Sequence, residues 1–302
     1  MSPAVLVADI GGTNARVAVH ACGKLEHHRA WPTASTGGLA QTLSRFRAET
    51  GARWSAACVA IAGPASDETV HLTNADWSGS LSDFDVPARF VNDLEAAAWS
   101  LDALDGAWDR LRGPAPDPTA PAAILGLGTG LGEAYRVPGQ VIPGEGGHRA
   151  FAPSTDLQRE LAAWLRSVEG RETTWEHVLC GDGLGRIAAF LAGAEDTRGA
   201  AALSRRVTAV NHPVAHAAQA LYARCCAAEA RAQALQVLAR GGVWLMGGMP
   251  ARISDAAWRA AFEMDFLDDG AHRDLLAQIP VLRVTHPHAN LVGAATLARQ
   301  LL

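Results

Sequence analysis

Lysine is nearly absent from this 302-residue chain: Lys24 is the single lysine, and arginine carries almost all of the positive charge. Two common ways of holding nucleotide phosphates need a lysine, namely the G-x-x-x-x-G-K-[ST] phosphate loop and the protein-kinase fold with its strand lysine. Lys24 lies in the polar segment "CGKLEHH", which fits neither pattern. A nucleotide bound by this chain is therefore expected to be held by backbone amides and a bound cation.

Long apolar runs and basic runs are also missing. No stretch of roughly 18 apolar residues is present to span a bilayer as a helix. The first ten residues, "MSPAVLVADI", have neither the basic start nor the small-residue cleavage site of a signal peptide. The formal net charge is −5, which offers no broad attraction for nucleic acid or anionic lipid. We therefore predict a cytoplasmic protein without a nucleic-acid or membrane partner.

Cysteines are too few and too widely spaced to stabilise the fold by disulfide bonds. The five cysteines include no C-x-x-C pair, so neither a disulfide framework nor a zinc ribbon is predicted. About half of the residues are apolar (49%), which provides for a sizeable core, and the length suits one large or two ordinary domains.

A pattern of apolar strand, small-residue turn and second strand occurs twice, at 6–19 and at 123–137. Between the two copies lies the proline-rich connector "GPAPDPTAP" at 113–121. Between the first copy and the connector, the segment "ARFVNDLEAAAWSL" changes from strand to helix at Asn92 and Asp93. The simplest architecture is α/β, with two related domains facing each other across a cleft.

The first turn, "DIGGTN", combines glycines with a carboxylate. Gly11 and Gly12 are expected to expose backbone amides, and Thr13 adds a hydroxyl, so the turn suits an oxyanion. A carboxylate that touched a phosphate directly would repel it, but Asp9 is useful there if it positions a hydrated Mg²⁺. The alternative is a buried aspartate that only caps its own turn.

The second turn, "GLGTGLG", has glycine at 126, 128, 130 and 132. The dinucleotide fingerprint G-x-G-x-x-G fails here, because its third glycine falls on Glu133. Alternating glycines in a hairpin still let backbone amides approach an anion closely. The alternative is a tight turn without a ligand.

Six segments in order resemble the bacterial glucokinase family: "ADIGGTNARVAV", "FVNDLEAAAWS", "GLGTGLG", "PGEGGHRAFAP", "WEHVLCGDGL" and "GGVWLMGGMPAR". The resemblance runs from residue 5 to about 300. It is to the hexokinase-type, non-ROK branch of the actin-like ATPase and sugar-kinase superfamily, whose domains are actin-like or ribonuclease H-like. It implies ATP-dependent phosphorylation of glucose to glucose 6-phosphate, with ATP and Mg²⁺ as cofactors, glucose and ATP as partners, and a homodimer.

The resemblance also implies roles for individual residues. Asp93 matches the catalytic base, which takes the proton of the sugar 6-hydroxyl. The sugar is held by Asn92, Asp93, Glu145, His148 and Glu176. Asp9 positions Mg²⁺ through water. The nucleotide-binding positions are Ala8, Asp9, Ile10, Gly11, Gly12, Thr13, Gly128, Thr129, Gly130, Gly247 and Gly248.

The chemistry of these side chains suits a polyol independently of the family. Each sugar hydroxyl both donates and accepts, so carboxylates, an amide and an imidazole are fitting partners. Simpler interpretations exist for each residue: Asn92 as a helix cap, Glu145 as a solvated loop charge, and His148 as a packing residue. A non-catalytic sugar-binding regulator and a kinase for another hexose remain as alternatives.

For the domains, we expect a small one over 1–103 and a large one over 104–289, with a C-terminal helix at about 290–302 packing back on the small one. A long alanine-rich helix is predicted at about 213–239, in a core or at an interface. Glucose specificity, donor preference, oligomeric state and regulation are not determined by the sequence.

Three features depart from the resemblance. Glu133 stands where a small or apolar residue is expected, and side-chain alternation along a strand would turn it away from ATP. "HRAFAP" is less acidic than the family pattern, and Cys180 replaces a commoner serine. No cysteine-rich zinc motif follows Gly147 and His148, so the ROK branch and its structural zinc are disfavoured.

Overall fold

The computed structural model describes residues 3–63, 65, 68–72, 76–253, 255–268 and 270–302. The chain forms two compact units. The first comprises Met1–Gly106 and His286–Leu302, and the second comprises Ala107–Thr285.

The strands are β1 (Val5–Ile10), β2 (Asn14–Ala21), β3 (Lys24–Pro32), β4 (Ala56–Ile61), β5 (Thr69–His71), β6 (Ser78–Ser80), β7 (Ala88–Asn92), β8 (Trp108–Arg112), β9 (Ala122–Leu127), β10 (Leu131–Val137), β11 (Gln140–Gly144), β12 (Val243–Met246) and β13 (Val281–Val284). The α-helices are α1 (Leu39–Thr50), α2 (Asp93–Ser100), α3 (Asp156–Glu169), α4 (Trp175–Leu179), α5 (Gly181–Leu191), α6 (Ala200–Thr208), α7 (Ala215–Val237), α8 (Gly248–Ile253), α9 (Ala256–Phe266), α10 (Arg273–Ala277) and α11 (Ala289–Arg299). Short 3₁₀ helices lie at Thr33–Ser35, Leu81–Asp83, Leu101–Ala103 and Gly146–His148.

The first unit is built on a five-stranded sheet in the order β3-β2-β1-β4-β7. Strand β2 is antiparallel to both β1 and β3, and β4 and β7 continue the sheet in parallel with β1. Alternate residues of β1 enter two separate cores, because successive side chains of a strand point to opposite faces. Leu6 and Ile10 pack in the core that includes α1, and Val5 and Val7 pack in the core that includes α11.

The second unit repeats this order and adds a strand. Its sheet runs β11-β10-β9-β12-β13-β8, with antiparallel pairs in the meander β9-β10-β11, parallel pairs at β9-β12-β13, and antiparallel β8 at the edge. The two strand–turn–strand patterns of the sequence are therefore the hairpins β1-β2 and β9-β10. Both units are α/β, as the sequence predicts.

Helices α11 and α2 pack unusually closely in the first unit. A Cβ on Gly293 of α11 would lie 1.6 Å from the carbonyl oxygen of Ala96 in α2, so only glycine permits this separation. Helix α2 starts at Asp93, directly after β7. The position of Asp93 thus depends on how α11 packs.

The long alanine-rich helix is α7, and it belongs to the core of the second unit. Fourteen of its 23 residues are buried, among them Cys225, Cys226 and Glu229. Small side chains let neighbouring elements approach on several faces, and this explains a helix that lacks a distinct polar side. In the part of the chain that the structure describes, no helix is both long and apolar enough to cross a membrane.

Candidate active site

The β1-β2 turn offers two backbone amides. The Gly11 amide donates to Asn14 O (2.9 Å), which closes the turn. Gly11 is therefore not exposed as the sequence suggested, since its N–H serves the hairpin. Among the described residues, the amides of Gly12 and Thr13 have no acceptor. A Cβ on Gly12 would meet no atom within 4 Å, so the turn is open to a ligand at this point.

Asp9 is tied to its own unit by two side chains. Its Oδ2 accepts from Arg16 Nη1 (3.0 Å) and its Oδ1 from Asn290 Nδ2 (3.3 Å). Arg16 pairs directly with Asp9 across the hairpin, and strand alternation turns Asp9 to the face that α11 covers. A carboxylate has about four lone-pair sites, so about two remain for water molecules of a hydrated Mg²⁺. Mg²⁺ keeps several of its waters and needs only one or two carboxylates. The Asp9 carboxylate therefore fits the ion.

The β9-β10 turn resembles the first one in its hydrogen bonding. The Gly128 amide donates to Gly130 O (3.0 Å), while the amides of Thr129 and Gly130 have no acceptor among the residues that the structure describes. A Cβ on Gly128 would again meet nothing within 4 Å. Gly128 O accepts from the amide of Gly181 (2.8 Å), which brings the N-terminus of α5 to the turn. Partial positive charge at a helix N-terminus favours anions.

Gly247 lies beside this second turn. Its φ of 93° is in the left-handed region, and a Cβ there would lie 2.5 Å from Leu127 O and 3.3 Å from Gly128 N. Both the backbone conformation and the close approach therefore require glycine. Gly248, the next candidate residue, starts α8.

Asn92 and Asp93 stand at the junction of β7 and α2 in the first unit. Asn92 is the N-cap of α2: its Oδ1 accepts from Leu94 N (2.8 Å) and its Nδ2 donates to Gly63 O (3.0 Å). One amide hydrogen and one lone pair remain for a ligand, so the cap role and a sugar-binding role are compatible. Asp93 Oδ1 also accepts from Leu94 N (2.9 Å), and its side chain is half-buried.

The other three candidate sugar residues lie together in the second unit. Glu145 and His148 flank the Gly146–His148 turn with exposed side chains (70% and 62%), and their Oε2 and Nε2 atoms are 3.8 Å apart. Glu176 Oε2 accepts from Leu131 N (3.0 Å) at the end of the glycine turn. A cavity of about 390 Å³ is lined by His148 and Glu176 together with Thr129 of that turn.

Glu133 points into the second unit rather than to solvent. Alternation places it on the face of β10 that carries Leu131 and Tyr135, and its side chain is 2% exposed. Its Oε2 accepts from Gln233 Nε2 (2.8 Å) and from Arg149 Nη2 (3.2 Å). Arg149 also pairs with Glu229 of α7, which is fully buried. We call Glu133, Arg149, Glu229, Gln233 and Tyr135 the buried acidic cluster.

The cluster contains two buried carboxyls and one arginine, so it retains a proton. Burial, and then the neighbouring charge and hydrogen bond of Glu229, raise the pKa of Glu133 to about 8, against the opposing effect of Arg149. Burial likewise raises the pKa of Tyr135 to about 12. Below that pH Glu133 is uncharged.

This proton predicts a pH-dependent stability. Between pH 4.5 and 8 folded Glu133 holds a proton that the unfolded chain has released, so the free energy of unfolding falls as pH rises. Relative to Glu133→Gln, we expect wild type to lose up to about 1.4 kcal/mol per pH unit in this window. Urea unfolding of both proteins at pH 5 to 9 measures the difference. Parallel stability curves would contradict the assignment.

Cys180 keeps a capping function at the position where serine is commoner. Its Sγ accepts from the amide of Gly183 (3.3 Å) at the start of α5. Burial raises the pKa of its thiol. The helix beside the glycine turn is therefore capped, by a weaker acceptor than a hydroxyl.

Sequence reasoning missed several residues around these candidates. Arg16 and Asn290 hold Asp9, Arg149 and Gln233 hold Glu133, and Glu229 pairs with Arg149. Of these residues only Arg16 could have been predicted from the sequence, because the register of a hairpin centred on the turn pairs it with Asp9.

Comparison with known proteins identifies the chain's relatives. A family model described as Glucokinase matches residues 6–301. The glucokinase of Mesorhizobium japonicum is 32% identical over 98% of this chain and 91% of its own length. The glucokinase of Sinorhizobium medicae is 34% identical over 98% of this chain and 92% of its own length.

Solved structures agree with this result. A glucokinase from an Antarctic psychrotroph has a TM-score of 0.87 at 29% identity and covers 99% of this chain and 100% of its own. A ROK-family glucokinase from Streptomyces griseus, in complex with glucose and AMPPNP, has a TM-score of 0.69 at 21% identity over 98% of this chain and 99% of its own, and shows likeness of fold alone. The predicted α/β sugar-kinase fold is confirmed. The chain belongs to the glucokinase family, the kinases of glucose.

Proposed function

We propose that this chain transfers the γ-phosphoryl group of ATP to the 6-hydroxyl of glucose, with Asp93 as the general base. Membership of the glucokinase family over residues 6–301 carries the proposal. In the reaction the glucose O6–phosphorus bond forms as the bond between phosphorus and the bridging oxygen of ADP breaks. The hydroxyl proton passes to the Asp93 carboxylate.

Asn92, Glu145, His148 and Glu176 are proposed to bind the sugar with Asp93. The remaining lone pair and amide hydrogen of Asn92 suit one hydroxyl that both donates and accepts. The side chains of Glu145 and His148 are exposed, so a polyol can reach both. Glu176, held by Leu131 N, offers an oriented acceptor beside the glycine turn.

The two glycine turns are proposed to hold ATP. Ala8, Asp9, Ile10, Gly11, Gly12 and Thr13 form the first binding segment, Gly128, Thr129 and Gly130 the second, and Gly247 and Gly248 lie on the adenosine side. The open amides of Gly12, Thr13, Thr129 and Gly130 support this assignment. Mg²⁺, positioned by Asp9 through water, would neutralise charge on the phosphate oxygens. A cytoplasmic homodimer stays a prediction.

The open turns give a test of nucleotide binding that spares the fold. A Cβ on Gly12 or Gly128 meets no protein atom within 4 Å, and neither residue has a positive φ. We expect Gly12→Ala and Gly128→Ala to leave thermal stability within a few degrees, and each to raise the KM for ATP about tenfold, because a bound phosphate would meet the new methyl group. Gly270→Ala is the matched control, because Gly270 is exposed, has no positive φ, and a Cβ there would meet no atom within 4 Å. An unchanged KM for ATP in both variants would remove these turns from the site.

The function itself is tested by ADP release with a panel of sugars. Glucose, mannose, fructose, glucosamine and N-acetylglucosamine are each offered with ATP and Mg²⁺, and with ADP or polyphosphate as alternative donors. Turnover with glucose and ATP at the highest kcat/KM supports the proposal. Preference for another sugar makes the chain a kinase of that hexose, and binding without turnover makes it a sugar-binding regulator.

A further inference from the structure

Arg149 connects the elements that carry three candidate sugar residues. Its backbone amide and its Nε both donate to Gly146 O, at 3.0 and 3.1 Å, so the side chain folds back on the turn between Glu145 and His148. Its own carbonyl oxygen accepts from the amide of Trp175 (3.1 Å), the residue before Glu176. One residue thus fixes the Glu145–His148 turn and the start of α4 relative to each other.

The far end of Arg149 is anchored inside the protein. Its Nη2 reaches Glu133 of β10 and Glu229 of α7, which are 2% and 0% exposed. The ion pair with Glu229 and the hydrogen bond to Glu133 together hold the guanidinium in one orientation. Gln233 and Tyr135 complete the cluster, since Gln233 donates to both acids and accepts from the Tyr135 hydroxyl.

The turn lies directly against the first residues of β10. A Cβ on Gly146 would overlap Glu133 Oε2, and one on Gly147 would overlap Leu131 O. The amide of Leu131 in turn donates to Glu176. Two glycines therefore let the turn sit on the strand, and the same strand orients Glu176.

We propose that Arg149, held by Glu133 and Glu229, is a positioning residue that sets the affinity for glucose by fixing Glu145, His148 and Glu176 in one arrangement. The proposal rests on the proposed function, which assigns those three residues to the sugar. The Arg149 side chain acts through the Glu145–His148 turn and through β10, whose Leu131 amide holds Glu176, and not on the phosphoryl group. Its loss should weaken sugar binding and leave ATP binding largely unchanged.

Arg149→Met tests this, because methionine keeps much of the side-chain length and removes every hydrogen bond of the guanidinium. We expect the KM and the calorimetric Kd for glucose to rise at least tenfold, with the KM for ATP within twofold and kcat within threefold of wild type. A shift of about 1 Å in the sugar-binding side chains is enough to cause a tenfold change. Arg159→Met, which removes an exposed arginine paired with Asp156 on α3, is the matched control.

A triple variant separates positioning from folding. Arg149→Met alone leaves the buried acidic cluster without its cation, which destabilises the unit. Adding Glu133→Gln and Glu229→Gln removes the remaining negative charge and should restore the melting temperature. If Arg149 positions the sugar residues, glucose Kd stays at least tenfold raised in the triple variant. If Arg149 only stabilises the fold, glucose Kd returns with the melting temperature.

The outcomes distinguish this proposal from the proposed function. Wild-type turnover of glucose combined with an unchanged glucose Kd in Arg149→Met overturns the positioning role alone. Equal losses of affinity for glucose and for ATP also overturn it. If wild type neither binds nor phosphorylates glucose, the proposed function fails first, and the positioning role fails with it.

Discussion

Asp93→Asn is expected to lower kcat for glucose phosphorylation by about 10²- to 10⁴-fold, the usual contribution of a general base. Asparagine has nearly the same shape and can still hydrogen-bond a hydroxyl, but it cannot take a proton. Asp93 Oδ1 accepts from Leu94 N, a bond that the amide oxygen of asparagine can also accept. The Kd for glucose should therefore stay within a few-fold of wild type.

Stopped-flow or coupled measurement of ADP release gives kcat, and calorimetry gives the Kd for glucose. Glu95→Gln is the matched control, since Glu95 is a second acid in the first turn of α2 and has no assigned role. Its kcat should stay within about threefold of wild type. Equal turnover of Asp93→Asn and wild type would show that the proton leaves by another route, and Asp93 would then be only a sugar ligand.

Gly293→Ala is expected to destabilise the first unit by about 1–3 kcal/mol or more, the range for overpacking a close contact. The new Cβ would lie 1.6 Å from Ala96 O, so α11 must move away from α2. Alanine raises helix propensity by about 1 kcal/mol over glycine, and that gain offsets part of the loss. Because α2 begins at Asp93, we also expect a lower kcat for glucose.

Chemical unfolding and steady-state kinetics on the same preparations test both consequences. Gln300→Ala changes an exposed residue just beyond α11 and should be within about 0.5 kcal/mol of wild type. If Gly293→Ala has wild-type stability and activity, then α11 and α2 can move apart without a loss in the free energy of unfolding. The dependence of Asp93 on α11 would then be wrong.

The hairpins and the strand-to-helix junction could be predicted because their signals are local. Glycine turns between apolar strands define both β1-β2 and β9-β10, and the pairing of Asp9 with Arg16 follows from hairpin register. The start of α2 at Asp93 could be predicted because the spacing of apolar residues changes from that of a strand to that of a helix, and because Asn92 is a suitable N-cap. Alternation along β10 predicted that Glu133 turns away from ATP, but it could not predict which residues Glu133 contacts.

Contacts between distant segments were beyond the sequence. Glu133 and Glu229 lie 96 positions apart, and Asp9 and Asn290 are 281 apart. Glu133 stood out only as a departure from the family pattern, and "HRAFAP" only as a segment less acidic than that pattern. The contact of Arg149 with Glu229 depends on where α7 packs on the sheet, and a helix with small residues on several faces gives no periodic signal for that.

The first unit joins residues from both ends of the chain, Met1–Gly106 and His286–Leu302, while the second is the continuous segment Ala107–Thr285. A ribosome therefore finishes every residue of the second unit before it makes the helix that covers Val5, Val7 and Ala96 in the first. Domains commonly fold from the N-terminus during synthesis. In this chain that folding order is reversed, because one apolar face of the N-terminal sheet stays uncovered until translation reaches α11. We therefore expect the nascent N-terminal segment to expose apolar surface that chaperones bind during synthesis.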